Sequence, residues 1–343
     1  MKDNKKHKKA EYGILITGLI ILLAVACIIA LCAGQYSVSV PEVTKILASR
    51  FVNVTKTWSN TAEGVVFTLR LPRMIGAVLV GSALSLSGAA YQGVFKNPLV
   101  APDLLGVSSG ACVGASVAIL LHLNSFGVQA MAFVAGILAV GLTLFIPRLI
   151  KNTNMTMLVL SGIIVKGIMD SVMGIIKYVA DPETELQSIT YWQLGSLTKV
   201  LPRDLFTVGP VIIAASVIIF LLRWRINILS LGDREAKTLG VSVTVVRNFI
   251  IICATLLTAS AVCISGTIGW IGLVIPHFAR MLTGPDNTKA IPASILIGAI
   301  FMVAIDTLAR ALTSVELPLS ILTGIIGAPF YIIILARQRM KLS

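Results

Sequence analysis

Long apolar runs separated by short polar segments dominate the chain. Ten runs of about twenty residues show no alternation of polar and apolar positions. Because backbone groups in hydrocarbon must be hydrogen-bonded internally, such runs predict membrane-spanning α-helices rather than barrel strands. The predicted spans are 13–33, 74–94, 104–123, 127–146, 155–178, 205–222, 243–265, 268–282, 293–311 and 319–336.

The ten spans leave room for a single membrane domain. They use about 200 of the 343 residues, and 56% of the chain is hydrophobic while 13% is charged. We therefore predict an all-α polytopic membrane protein. Its parts are a basic tail at 1–12, a transmembrane domain at 13–336 and a second tail at 337–343.

Lysine and arginine positions predict the orientation. With a cytoplasmic amino terminus, the inner segments hold eighteen of the 28 basic residues. This bias favours both termini in the cytoplasm and an even number of spans. The net charge of +13 is thus mainly a topology signal, and nucleic-acid binding is a poor interpretation. The first apolar run, 14–33, exceeds the 7 to 15 residues of a cleaved signal segment, so we predict a retained span.

Glycine spacing predicts close packing at two places. Gly106, Gly110 and Gly114 recur every four residues, which places three positions without side chains on one helix face. Gly266, Gly269 and Gly272 recur every three and precede Pro276, so the turn between the seventh and eighth spans is predicted to be kinked or partly unwound.

Few ionisable residues lie within the spans. Lys166 and Asp170 are four apart on the fifth span, so they share a face and can pair. Besides a structural pair, they could line a substrate path or relay protons in an ion-coupled secondary transporter. Asp306 and Arg310 repeat the spacing near the outer end of the ninth span, where Arg310 could also face a partner.

The chain lacks the motifs of an enzyme. It contains no Gly-x-x-x-x-Gly-Lys-Ser/Thr phosphate loop, so an ATP-driven process would need a separate ATPase subunit. The three histidines suggest no hydrolytic site. All five cysteines fall within spans without a Cys-x-x-Cys pair, so no metal site is predicted.

One polar, helix-prone decapeptide, Leu231 to Gly240, lies between two apolar blocks on the predicted cytoplasmic side. Ser230 or Asp233 can cap its helix, Lys237 follows Asp233 at i+4, and Gly240 offers a left-handed stop. So short a helix is marginal alone in water. It therefore needs a docking surface on its own membrane domain or on a partner.

Several local motifs together resemble one family, the transmembrane permeases of the iron-siderophore, haem and cobalamin ABC importers. They occur in the family's order between residues 70 and 330. The resembling segments are Arg70-Leu-Pro-Arg73, Ser87-Gly88 with Gln92, Asn97-Pro98-Leu99 with Pro102 and Leu105-Gly106, Tyr191-Trp192 with Gly195-Ser196-Leu197, Leu231-Gly232 to Leu239-Gly240, Gly269-Trp-Ile-Gly-Leu-Val-Ile-Pro-His277 with Arg280, Gly284-Pro-Asp286, Asp306 with Arg310, and Glu316-Leu-Pro318 with Gly327-Ala-Pro-Phe330.

The resemblance implies roles for particular residues. The decapeptide would be the coupling helix that enters a cleft on the ATPase, with Leu231, Ala236 and Leu239 as apolar contacts and Asp233, Arg234 and Glu235 as a polar rim. Gly232 and Gly240 would belong to the same ATPase-coupling segment. Arg70, Arg73 and Arg310 would face outward and pair with acidic residues of a binding protein. Asn97, Leu99, Met155 and Thr156 would form the inner gate. Lys96 and Trp270 stand where the family commonly has arginine and phenylalanine. Leu319-Ser320 stands where glycine usually follows the proline pair.

The resemblance also implies the assembly. The chain would be a non-catalytic permease that binds no cofactor, with ATP and magnesium used by the ATPase. Its partners would be a second permease, identical or homologous, two ATPase subunits and an extracytoplasmic substrate-binding protein in a bacterial cytoplasmic membrane. The cargo would be a ferric siderophore, haem or cobalamin, with an oxyanion such as molybdate as an alternative. An ion-coupled secondary transporter is the rival class.

Overall fold

The computed structural model describes residues 2–152, 154–313 and 315–339, and regular structure in these ranges is entirely helical. This confirms the all-α class. A π-helix, Val65–Arg70, precedes α4, and a 3₁₀ turn, Pro102–Leu105, precedes α5. The α-helices are α1 Lys2–Cys32, α2 Val40–Ala48, α3 Asn60–Gly64, α4 Leu71–Phe95, α5 Val107–Leu120, α6 Ser125–Leu149, α7 Met155–Val179, α8 Glu185–Leu194, α9 Pro202–Leu231, α10 Asp233–Thr238, α11 Val243–Ser265, α12 Ile271–Thr283, α13 Asn287–Ala311 and α14 Leu319–Arg339.

Each predicted span overlaps one of these helices. In the described ranges, seven helical stretches are long and apolar enough to cross a membrane: Ala10–Cys32, Asn60–Phe95, Ser125–Leu149, Met155–Val179, Pro202–Leu231, Val243–Ser265 and Asn287–Ala311. Three shorter apolar helices, Val107–Leu120, Ile271–Thr283 and Leu319–Ile332, match the remaining runs. The count of ten spans and the cytoplasmic location of the termini remain predictions.

The core of the molecule lies around α4 and α11. In their most apolar windows 72% and 78% of the residues are buried, compared with 17% in α1 and 28% in α7. Helix α4 packs against α9, α11, α12 and α13. Because four helices surround α4, its side chains are small and apolar on all sides, and the helix is not amphipathic.

Glycines bring helix backbones together around this core. A Cβ at Gly88 of α4 would lie 1.9 Å from the carbonyl oxygen of Gly272 in α12. The predicted small-residue face of α5 is confirmed for Gly110 and Gly114, whose added Cβ atoms would meet the α6 carbonyl oxygens of Ala135 at 2.7 Å and Met131 at 2.2 Å. Gly106 instead precedes α5, with φ +79°.

The predicted interruption between the seventh and eighth spans is confirmed. Helix α11 ends at Ser265, and residues 266–270 are non-helical before α12 begins at Ile271. Gly266 has φ +69° and Trp270 has φ 72°. The amide of Ser196 donates to the Ser265 carbonyl at 2.8 Å, so the end of α11 is hydrogen-bonded to the segment after α8.

Candidate functional sites

The decapeptide contains a short helix, α10, between two glycines with positive φ. Gly240 has φ +76° after the helix, which confirms the predicted left-handed stop. The predicted side-chain cap is wrong, because Gly232 occupies the N-cap position with φ 144°. The hydroxyl of Ser230 instead donates to the Asn227 carbonyl at 2.6 Å, within the last turn of α9.

Asp233, at the start of α10, binds two cations from other helices. Lys96 Nζ lies 3.0 Å and an Arg247 guanidinium nitrogen 2.7 Å from the same carboxylate oxygen. The Arg247 hydrogen bond, the largest influence, lowers the pKa of Asp233 below its ordinary value; burial opposes this and Lys96 adds to it. The expected partner Lys237 is therefore wrong: both cations come from residues distant in sequence.

The surface of α10 divides into a buried and an exposed part. Ala236 is 0% exposed and belongs to the main core, while Leu231 and Leu239 are 65% and 58% exposed. The expectation that Ala236 contacts a partner is thus wrong, since it docks α10 on its own domain beside α9 and α11. The expected polar rim of Asp233, Arg234 and Glu235 is exposed.

The predicted gate residues lie in two segments. We call residues 96–101, which follow α4, the gate loop. Within it Asn97 and Leu99 are exposed, and the Leu99 amide donates to Asn97 Oδ1 at 2.9 Å. Met155 and Thr156 begin α7, half-buried and exposed respectively. Among the described residues no hydrogen bond joins the two segments, and their role as a gate remains a prediction.

Gln92 fastens the far end of the gate loop. Its buried side-chain amide donates to the Val100 carbonyl at 3.2 Å, and to the carbonyls of Gly272 at 3.4 Å and Leu273 at 3.2 Å in α12. Arg280 donates to the Gln92 side-chain oxygen. Gln92 was part of the sequence motif, but its contacts, which join segments about 180 residues apart, were not predictable from local spacing.

Arg70, Arg73 and Arg310, which we call the outer arginine cluster, are 5%, 7% and 8% exposed. Arg70 donates to the carbonyls of Leu31 at 2.8 Å and Cys32 at 3.0 Å. Arg310 donates to Ala33 at 2.9 Å. These two guanidinium groups therefore satisfy carbonyls at and just beyond the end of α1.

Arg73 is held by two carboxylates. Its Nε lies 2.8 Å from Asp306, and a terminal nitrogen lies 2.7 Å from Glu316. Asp306 also lies 3.7 Å from Arg310, which confirms that the i, i+4 pair can form. Burial alone would raise the pKa of Glu316, but hydrogen bonds from Arg73 and Thr198 lower it overall. Internal partners therefore hold all three arginines, and their role in docking a binding protein remains a prediction.

A cavity of about 290 Å³ opens between α5, α7, α8 and the 266–270 interruption. Lys166 binds Asp103 at 3.1 Å, so the expected Lys166–Asp170 pair is wrong. The second Asp103 carboxylate oxygen is buried without a hydrogen-bond partner in the described chain. The polar lining of the cavity includes Asp103, Ser108, Ser109, Cys112, Asp170, Gln193, Thr258 and Thr267.

The described side chains offer no evident resident metal site. Within the ranges searched, no group of three or more histidine, cysteine, aspartate or glutamate residues is placed to hold a metal ion. The five cysteines are free thiols, and three of them are buried.

Comparison with known proteins gives a consistent result along almost the whole chain. A model of the FecCD transport family matches residues 22–337. The molybdate import system permease protein MolB of Haemophilus influenzae is 37% identical over 322 residues, covering 94% of this chain and 95% of that protein. A Helicobacter pylori protein named "probable iron chelatin transport system permease protein" is 40% identical over 275 residues, covering 80% of this chain and 83% of that protein. Further relatives are named as hemin and cobalamin permeases.

The fold is also that of a solved transporter. A metal-chelate type ABC transporter in an inward-facing conformation superimposes with a TM-score of 0.85 at 34% identity, covering 95% of this chain and 99% of that one. The overall fold of this chain thus recurs in a transport protein.

Proposed function

The chain belongs to the FecCD transport family of ABC transporter permease subunits, and from this premise we propose that it imports a ferric siderophore. Family permeases are non-catalytic, and ATP hydrolysis would lie in a separate subunit. The observation that supports the iron chelate is the 40% identity to an iron chelatin permease. Haem, cobalamin and the oxyanion molybdate are the alternative cargoes, since relatives carry those names.

We propose further that the exposed face of α10 is the ATPase contact. Leu231 and Leu239 supply exposed apolar area, and Arg234 and Glu235 supply charge beside it. Because Ala236 fixes α10 to the core, a displacement of α10 by the ATPase would be transmitted to α9 and α11. The ATPase would bind ATP and magnesium, and the permease itself would bind no cofactor.

The inner gate would lie at the end of α4 and the start of α7, and the path would pass the cavity beside α5, α7 and α8. Asn97, Leu99, Met155 and Thr156 supply small and apolar side chains that could close an empty path without holding cargo. Lys166, Asp170 and the cavity beside them would give the path a polar lining. The rival, an ion-coupled secondary transporter, would use the same two charges, but Lys166 is neutralised by Asp103.

The complete importer would contain a second permease, two ATPase subunits and an extracytoplasmic binding protein. It would lie in a bacterial cytoplasmic membrane with both permease termini inside. The outer arginine cluster would support docking of the binding protein. Because its guanidinium groups are buried, we expect them to act by holding the ends of α1 and α13 in place rather than by direct contact.

The test is uptake by proteoliposomes that contain the permease, its ATPase and its binding protein. Uptake of a ferric hydroxamate should stop when the ATPase is inactivated and should survive collapse of ion gradients. Parallel assays with haem, cobalamin and molybdate identify the cargo. Uptake that follows an ion gradient without ATP would refute the importer, whereas ATP-dependent uptake of molybdate alone would refute only the siderophore.

The ATPase contact has its own test. Replacing Glu235 and Leu239 with lysine should weaken co-purification of the ATPase at least about tenfold, since both side chains are exposed and their loss disturbs no core packing. Asn53→Lys, on an exposed loop after α2, is the control. Unaltered association of the double variant would remove α10 from the contact.

A further inference from the structure

An ion pair joins the predicted inner gate to α10. Lys96, at the end of α4, lies 3.0 Å from Asp233, although 137 residues separate them. Arg247 of α11 binds the same carboxylate oxygen at 2.7 Å. Asp233 therefore links three helices at one point, the end of α4, the start of α10 and the first turns of α11.

The backbone holds Lys96 in a defined position. It has φ 54°, a left-handed conformation that ends α4, and its amide donates to the Gln92 carbonyl. The next amide, that of Asn97, donates to the same carbonyl at 3.2 Å. Asn97 and Leu99 follow directly, so the backbone of Lys96 fixes where the gate loop begins, and its side chain connects that point to α10.

The opposite end of the gate loop is attached elsewhere. The Gln92 side chain binds the Val100 carbonyl at 3.2 Å, together with two carbonyls in the first turn of α12. The gate loop is thus held to α4 and α12 at Val100 and to α10 at Lys96. A displacement of α10 reaches one end of the gate loop while the other end stays fixed.

The seat of α10 does not depend on Lys96. Ala236 is fully buried against the core, and Arg247 binds Asp233 with a side chain only 13% exposed. Lys96 and Asp233 are 35% and 48% exposed, and ion pairs that solvent reaches contribute little to folding. The ion pair therefore contributes to the position of Lys96 relative to α10 rather than to the stability of the fold.

We propose that Lys96 is a positioning residue that transmits movement of α10 to the gate loop through Asp233. This inference rests on the proposed function, in which α10 meets the ATPase and the gate loop closes the path. It assigns to Lys96 the coupling between ATP hydrolysis and cargo movement. Assembly of the complex and hydrolysis itself do not require it.

The experiment measures cargo moved per ATP hydrolysed in the reconstituted transporter. Lys96→Met removes the ammonium group and keeps the aliphatic stem. We expect it to lower this ratio at least about fivefold, which is the smallest effect typical of energetic coupling between two sites. Association with the ATPase and basal ATP hydrolysis should be unchanged. Lys96→Arg should restore most of the ratio.

A matched control is available on the cytoplasmic end of α6. Lys151 is exposed, follows a helix and has φ 56°, and it makes no ion pair in the described chain. Lys151→Met should leave the ratio unchanged. Equal effects of the two substitutions would assign the loss to general surface charge and overturn the proposal.

A double-mutant cycle tests the partner. In an Asp233→Asn background, Lys96→Met should have no further effect on the ratio if the two side chains act through one contact. An undiminished effect, or loss of ATPase association in Lys96→Met alone, would overturn the proposal. Wild-type protein without ATP-driven uptake would refute the proposed function and the coupling role together; normal coupling in Lys96→Met would refute the coupling role alone.

Discussion

Arg73 is the side chain whose loss should cost the most stability. It is the closest cation to Asp306, which is 2% exposed, and Arg310 lies 3.7 Å from the same carboxylate. Removing one member of a buried pair leaves an uncompensated charge, so Arg73→Met should lower the free energy of unfolding by about 3–5 kcal/mol. Thermal unfolding in detergent measures this.

Arg225→Met is the control, because Arg225 is exposed and forms no ion pair within the described chain. Its melting temperature should match the wild type. Equal stability of Arg73→Met and wild type would contradict the structural role given to the outer arginine cluster.

Sequence spacing predicted ion pairs correctly only where the partner was local. Asp306 and Arg310 are one helical turn apart and do approach each other. Lys166 and Asp170 have the same spacing, yet Lys166 binds Asp103, which the 3₁₀ turn brings close from 63 residues away. Arg70 and Arg73 likewise bind carbonyl and carboxylate groups from segments distant in sequence. Local patterns cannot rank such competitors.

Asp233 should make the attachment of α10 sensitive to acid. Its folded-state pKa is lowered from 3.8, so its stabilising contribution is complete above that value and is lost as the pH falls through the lower folded value. Amide exchange in residues 233–239, corrected for intrinsic rates, should therefore accelerate only below pH 3.8. Asp233→Asn should remove this acid-dependent component, and an identical pH profile in that variant would contradict the assignment.

Helix α5 depends on glycine at its contact with α6. A Cβ at Gly114 would lie 2.2 Å from the Met131 carbonyl oxygen, whereas one at Gly174 of α7 meets nothing within 4 Å. Gly114→Ala should lower the free energy of unfolding by about 1–3 kcal/mol through overpacking. Gly174→Ala is the matched control and should be neutral or slightly stabilising, because alanine favours the helix. Similar melting temperatures for both variants would show that α5 and α6 can separate at little cost.

The apolar helices and the polar helix α10 were predictable from the sequence, whereas three short helices of mixed composition were not. All ten apolar runs became helices because length and hydropathy alone define them. The helices α2, α3 and α8 are short and mixed in composition, so their residues resembled loops. Helix α8 is the consequential omission, since its Gln193 lines the cavity and its Trp192 carbonyl lies against Gly266.

The distribution of burial over the whole molecule indicates a missing neighbour. Helix α7 is largely unburied although it carries Lys166 and Asp170, and the Lys166 side chain is 47% exposed. Charged groups facing lipid are costly, so this face must meet protein or water. Helix α6 presents an apolar face instead, with Leu138 62% exposed. The two helices should therefore have different surroundings in the assembled transporter.

Cysteine accessibility distinguishes these surroundings. In a variant with Cys27 and Cys32 replaced by serine, the three remaining cysteines are buried. Ile163→Cys and Gly167→Cys lie within a turn of Lys166, and a hydrophilic maleimide should alkylate them in the assembled transporter because water reaches that face. Leu138→Cys should react only with a lipid-soluble reagent. If all three positions reacted alike with the hydrophilic reagent, water would reach α6 and α7 equally. The path would then have to lie elsewhere. Protection of positions 163 and 167 upon adding the second permease would instead assign this face to the contact between permeases.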